Sequence, residues 1–339
     1  MKLLKLTLLL AFVFIFSCKK DKHPVVPATG DIYVAGYEYT AGKSVAKVWI
    51  NGQATVLGNP QNSSYAYSVV VAGSDVYVAG SESFGNTSIA KVWKNGQELF
   101  TSNGQQNAYF YSVYVVGADV YAVGTEFNGS INVAKIWKNG QATTLVAAQN
   151  DSNAYSVFVS GGDVYVAGVE YVNGIGIAKV WKNGQPTADL TNGQQDAIAL
   201  SIVISGPDVY VAGYENNGIK EVAKLWKNGV AMPLTNGQQD AQAYSVFVVG
   251  NDVYVAGNES NGTETDAKIW KNGQPTATFS TGVHSAYALS VYVSGNDVYA
   301  AGFDNNGSTN EAKVWKNGQI IFSTLGQEDA AATSVFVVN

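Results

Sequence analysis

Residues 245–273 read SVFVVGNDVYVAGNESNGTETDAKIWKNG, and the chain writes variants of this stretch around its whole length. The serine recurs at Ser68, Ser112, Ser156, Ser201, Ser245, Ser290 and Ser334. The tryptophan recurs at Trp49, Trp93, Trp137, Trp181, Trp226, Trp270 and Trp315, in steps of 44 or 45 residues. From each of the first six serines to the next tryptophan the distance is 25, so every extra residue falls after a tryptophan and before the next serine. Self-similarity at such a period marks one ringed or stacked architecture.

Each unit carries four strand signals. SVFVV is a continuous apolar run, expected for a strand buried on both faces (strand A). A turn such as GND leads to VYVAG, rich in β-branched and aromatic residues (strand B). An eight-residue polar loop is expected before AKVW or its variants (strand C). The KNG that follows suits a type I′ hairpin, because Asn and Gly tolerate positive φ. A short strand D, such as QATTL, closes the unit. Four antiparallel strands per ~44 residues predict an all-β fold, the blade of a β-propeller.

The ends of the repeat decide how the units assemble. The first unit opens at GDIYVAG (residues 30–36), a strand B with no strand A before it; the last copy stops at SVFVVN (residues 334–339), a strand A with no B after it. Strand A from the C-terminus is therefore expected to join strands B, C and D from the N-terminus, closing seven blades over residues 30–339. At this point the chain resembles the bacterial seven-bladed β-propeller repeat family, whose units carry a hairpin of the DVYVAG type. It departs from WD repeats, since lysine or isoleucine follows each tryptophan, and it lacks the Asp-box of sialidases and calcium loops of the form DxDxDG. The resemblance implies a fold and no particular activity.

The N-terminus differs in kind. Lys2 and Lys5 precede an apolar run from Leu6 to Phe16, too short to span a bilayer comfortably and suited to a signal peptide. Cys18, the sole cysteine, follows directly, an arrangement that resembles a lipoprotein signal. Residues 1–17 are thus expected to be a leader, Cys18 a lipidation site, and residues 18–29 a tether lifting a monomeric propeller off a membrane of the bacterial cell envelope. Losing the leader with its two lysines takes the formal charge from −6 to about −8. All 20 cationic residues are lysine, and an acidic chain without arginine argues against nucleic acid as a partner.

Two charged series repeat nine residues apart: Glu38, Glu82, Glu126, Glu170, Glu215, Glu259 and Asp304 after strand B, and Lys47, Lys91, Lys135, Lys179, Lys224, Lys268 and Lys313 in strand C. A constant offset across a hairpin predicts structural charge pairs. Seven aspartates (Asp31, Asp75, Asp119, Asp163, Asp208, Asp252 and Asp297) read as turn residues. No cofactor or metal site is read from the sequence. His23 lies in the tether and His284, beside Ser285, is read as a surface residue, so no nucleophilic dyad stands out.

Variation is concentrated just ahead of strand A, where each copy reads small-x-small-x-Ser. The first x is Tyr65, Tyr109, Asn153, Ile198, Gln242, Tyr287 and Ala331. With the first B–C loop residues, among them Tyr39, Phe127 and Tyr171, these are expected to ring one mouth of the central channel. Aromatic rings among amides suit a glycan or a peptide. The expected function is a binding or assembly module whose partner is a glycan, bound at several points, or an envelope or extracellular protein. A carboxylate-based hydrolase or lyase is the enzymatic alternative.

Overall fold

The computed structural model describes residues 30–146, 149–279, 284–324 and 326–338; the leader, Cys18, His23 and the tether lie outside them. The described residues form seven four-stranded antiparallel sheets, and the molecule is a seven-bladed β-propeller. In blade one, strand A (Ala330–Val338) pairs with strand B (Asp31–Thr40), followed by C (Lys43–Ile50) and D (Gln53–Val56). Its register runs from Asp31 opposite Val338 to Glu38 opposite Ala330. The A strands of blades two to seven are Ser64–Ala72, Ala108–Val116, Ser152–Ser160, Ala197–Ser205, Ala241–Val249 and Ala286–Ser294. Each A strand touches the A strand of both neighbouring blades in an unbroken circuit, which places strand A innermost.

Three repeated residues hold neighbouring blades together. Each strand A serine accepts, through Oγ, the backbone N–H of the residue after the next blade's serine. The seven bonds run from Val69 to Ser334 and from Val113 to Ser68 onward to Val335 and Ser290, all at 3.1–3.3 Å. Further out, each tryptophan is buried against the preceding blade. Trp93 packs with Ala46, Val48 and Leu57 of blade one, and Trp49 with Tyr299, Ala301 and Val314 of blade seven. The strand B glycine makes room for this packing. A Cβ on Gly80 would sit 2.0 Å from the Tyr65 carbonyl oxygen and 2.9 Å from the Trp93 ring.

The lower face, made by the A–B and C–D turns, is stitched by the aspartates and the KNG asparagines. Asn95, at φ 51° as a type I′ turn requires, donates Nδ2 to Asp75 Oδ1 at 2.7 Å and accepts the Val76 N–H at 2.8 Å. The same pair of bonds is made in all seven blades. In blades two to seven a lysine adds an ion pair, as at Lys94–Asp75 (2.8 Å); Ile50 takes its place in blade one.

Three expectations about the strands change. Strand A begins four residues before its serine, so the small-x-small-x segment is part of the strand. The eight-residue B–C loop does not exist, because the strands continue pairing to a tip of two residues in blades one, two and four and four residues in the others. In the four-residue tips an asparagine shapes the turn, as where Asn217 Oδ1 accepts the N–H groups of Ile219 and Lys220. Strand D of blade four shrinks to Gln185–Pro186, whereas that of blade six, with proline at the same position, runs Gln274–Thr278.

These joints have distinct costs. Ser201→Ala leaves the Val246 N–H without its acceptor and is expected to cost about 1 kcal/mol. Trp226→Ala opens a void between blades and is expected to cost about 3–5 kcal/mol. Urea unfolding of the two variants measures both, and equal losses would refute the assignment of tryptophan as the main inter-blade filler.

Candidate binding site at the upper mouth

Strand A and strand B slip by one residue at the same point in every blade. In blade two Ala66 faces Gly80 and Ser68 faces Ala79, leaving Tyr67 unpaired on a β-bulge. The corresponding residues are Tyr111, Tyr155, Leu200, Tyr244, Leu289 and Thr333. They meet around the axis: the Tyr67 and Tyr111 rings are 5.5 Å apart and those of Tyr111 and Tyr155 5.3 Å.

The first-x tyrosines join this circuit. Tyr65 lies parallel to Tyr67 and Tyr109 parallel to Tyr111, each pair at 6.2 Å, and Tyr37 meets Tyr65 edge-on at 4.9 Å. Blades one to four thus present a continuous tyrosine wall. Asn153 accepts from the Thr125 hydroxyl at 2.7 Å. Gln242 sits opposite in a polar chain, donating to Glu221 Oε2 at 2.5 Å and accepting from the Tyr244 hydroxyl. Tyr287 stacks on Phe303 at 4.7 Å, Ile198 lines a cleft beside Tyr171, and Ala331 is buried. Tyr39 and Phe127 end strand B of blades one and three, where their N–H groups donate to the Asp329 and Asn107 carbonyls. Their rings take no part in the contacts that build the wall.

Sequence reading singled out the first x and passed over the second. The signal was present, because alternation would put Tyr67 and Val69 on one side of the strand. The slip between Ala66, opposite Gly80, and Ser68, opposite Ala79, is what lifts Tyr67 out of that alternation.

The upper face is held by the residue just before strand A: Ser63, Asn107, Asp151, Asp196, Asp240, Ser285 and Asp329. Its carbonyl accepts an N–H from the end of strand B in the same blade, all seven times. At five blade junctions its side chain also accepts an N–H from strand C of the preceding blade, as from Ser88 to Asn107 and Gly176 to Asp196. Two clefts open between blades on this face. One of about 480 Å³ is lined by Glu264, His284, Ser285, Tyr287, Phe303 and Asn310. The other, about 310 Å³, lies among Tyr171, Asp196, Ile198, Tyr214 and Glu221.

The two charged series lie next to one another in every blade. Glu82 and Lys91 are 2.9 Å apart and buried, Glu126–Lys135 2.8 Å, Glu170–Lys179 3.2 Å, Glu215–Lys224 2.9 Å, Glu259–Lys268 3.7 Å and Asp304–Lys313 2.9 Å; Glu38 contacts Lys47. The shorter Asp304 reaches its lysine with Oδ2 and leaves Oδ1 buried without a partner. Among the described residues, no three His, Cys, Asp or Glu side chains converge to hold a metal, and no helix is long and apolar enough to cross a membrane.

No family model matches the chain, and no curated protein does. Among solved structures, one from work on two prolyl endopeptidases superposes with a TM-score of 0.54 at 12% identity, over 91% of this chain and 49% of that one. The acylaminoacyl peptidase of Pyrococcus horikoshii gives 0.51 at 11% identity, over 90% and 51%. This chain spans about half the length of each, and at such identity the likeness is one of fold.

Burial pushes the Tyr111 hydroxyl up to about 12, with neighbouring Tyr109 adding to the effect, and it pushes Tyr67, Tyr155 and Tyr244 up as well. Unfolded tyrosine ionises near ~10. The folded state therefore holds these protons more tightly, and their contribution to stability is full below that pH and lost as pH rises through the folded values. Burial likewise pushes Tyr214 up to about 12, so tyrosinate absorbance is expected to show at least five of the 20 tyrosines silent until the fold melts in alkali. A single titration of all tyrosines near pH ~10 with the fold intact would contradict the buried wall.

Proposed function

We propose that the protein is an exported β-propeller, lipid-anchored at Cys18, that binds a glycan on its upper mouth. The observation that supports this reading is the tyrosine wall, whose broad apolar faces stand beside amide and carboxyl groups at Gln242, Asn153 and Glu221. Sugars present apolar C–H faces together with hydroxyls, and a site with both aromatic platforms and amides answers both. The wall spans several blades, so one chain of sugars would touch consecutive tyrosines and gain from multiple contacts.

An anchor at Cys18 would also give the mouth a direction. Strand B of blade one starts at Asp31, opposite Val338, on the lower face. A tether of residues 18–29 would join the propeller at that side, and twelve residues reach at most ~40 Å when extended. The upper mouth then faces away from the membrane.

Calorimetric titration of the full chain with envelope and host polysaccharide fragments tests the reading. Saturable binding is expected, weakened at least tenfold when Tyr67, Tyr111 and Tyr155 are all replaced by leucine, which keeps the apolar bulk and removes the rings. Binding unaffected by those changes, or none across the panel, would count against the mouth and favour a protein partner.

A further inference from the structure

The charges of the propeller are unevenly placed. The strand B and strand C series match one for one, and the seven lower-face aspartates are met by six lysines. Four further carboxylates, Glu98, Asp189, Asp266 and Glu311, lie within 4 Å of strand C lysines that already hold a strand B partner. The remaining seven described carboxylates, among them Asp196, Glu221, Asp240, Glu264 and Asp329, all stand on the upper-face loops and strand ends. Only Lys43 and Lys220 stand there with them; Lys220 is held by Asp240 at 2.7 Å and Lys43 by the Gln61 carbonyl. The chain's excess of negative charge is thus a property of the face that carries the mouth.

On that face the cleft between blades six and seven combines a carboxylate with an aromatic platform. Tyr287 and Phe303 are stacked, with 25° between their planes. Beside them Glu264 is oriented by the Ser285 hydroxyl, which donates to Oε2 at 2.6 Å while accepting the Thr265 N–H at 3.1 Å. Asn305 donates to Asn310 at 3.0 Å and accepts the Gly307 N–H at 2.8 Å, fixing the far wall. No lysine lines this cleft, nor the smaller one between blades four and five, which repeats the combination with Tyr171, Tyr214, Asp196 and Glu221.

We infer that the cleft between blades six and seven is a subsite for a sugar residue bearing a free amine. The ring's apolar face lies against the open side of the Tyr287–Phe303 stack, and the ammonium group lies against Glu264. Aromatic faces and carboxylates both attract an ammonium ion, and a neutral sugar would leave the carboxylate without a counter-charge. This inference rests on the glycan reading above and adds the charge of the sugar and the place where it is read.

The test titrates the full chain with a glucosamine oligomer and with its fully N-acetylated counterpart, which has the same backbone and no charge. The free-amine oligomer is expected to bind roughly tenfold tighter, with the advantage shrinking as salt is raised. Glu264→Gln keeps an acceptor for Ser285, and is expected to abolish the advantage, bringing the free-amine oligomer to the affinity of the acetylated one. Equal binding of the two oligomers would overturn the amine inference and leave the glycan reading standing. An advantage that survives Glu264→Gln would overturn its location. Binding of neither oligomer, with a lysine-rich peptide bound instead, would overturn the inference and the glycan reading together.

Discussion

The pairing of the last strand with the first is the contact on which the rest of the molecule depends. Asp31–Glu38 lies against Ala330–Val338, so blade one is built from both ends of the chain. Without that strand two of the seven serine bonds disappear, because Val69 donates to Ser334 and Val335 donates to Ser290. Thr333 would also withdraw the hydroxyl that bridges the carbonyls of Ala35 and Ala66 at 3.0 and 2.8 Å, linking blades one and two. A ring has no free sheet edge at its seam, whereas an open array would expose strand B of blade one along its inner side.

Within this ring the repeated and the varied residues have separate work. Serine, tryptophan, the strand B glycine and the Asp–Asn turn pair recur because each sits where one blade meets the next or one strand turns into another. The bulge turns the residue before each serine toward the axis. There the chain writes tyrosine four times, leucine twice and threonine once. A uniform scaffold with a non-uniform mouth is how a repeat protein acquires one asymmetric surface without altering any joint.

Much of this was legible in the sequence. The period, the four strands per unit and the closure by terminal strands follow from fixed spacings between serine and tryptophan and from where the repeat begins and ends. The nine-residue offset from Glu82 to Lys91 foretold two side chains meeting across a hairpin. Less legible were features set by pairing register. The polar stretch after VYVAG looked like a loop, yet hydrogen bonding to its partner strand holds it extended. Tyr65 and Tyr109 were read as mouth residues, but their neighbours Tyr67 and Tyr111 were passed over, because only the bulge brings them to the same wall. The inter-blade role of the serine was hidden for a similar reason, since its partner is 45 or 46 residues away in most blades.

The most direct test of the closed ring is thermal unfolding of the chain with and without residues 326–339. The account predicts one cooperative transition for the full chain. For the truncated chain it predicts a broad or much earlier melt with aggregation, partly reversed by adding the missing segment as a peptide. A truncated chain that melts in the same single transition as the full one would contradict it.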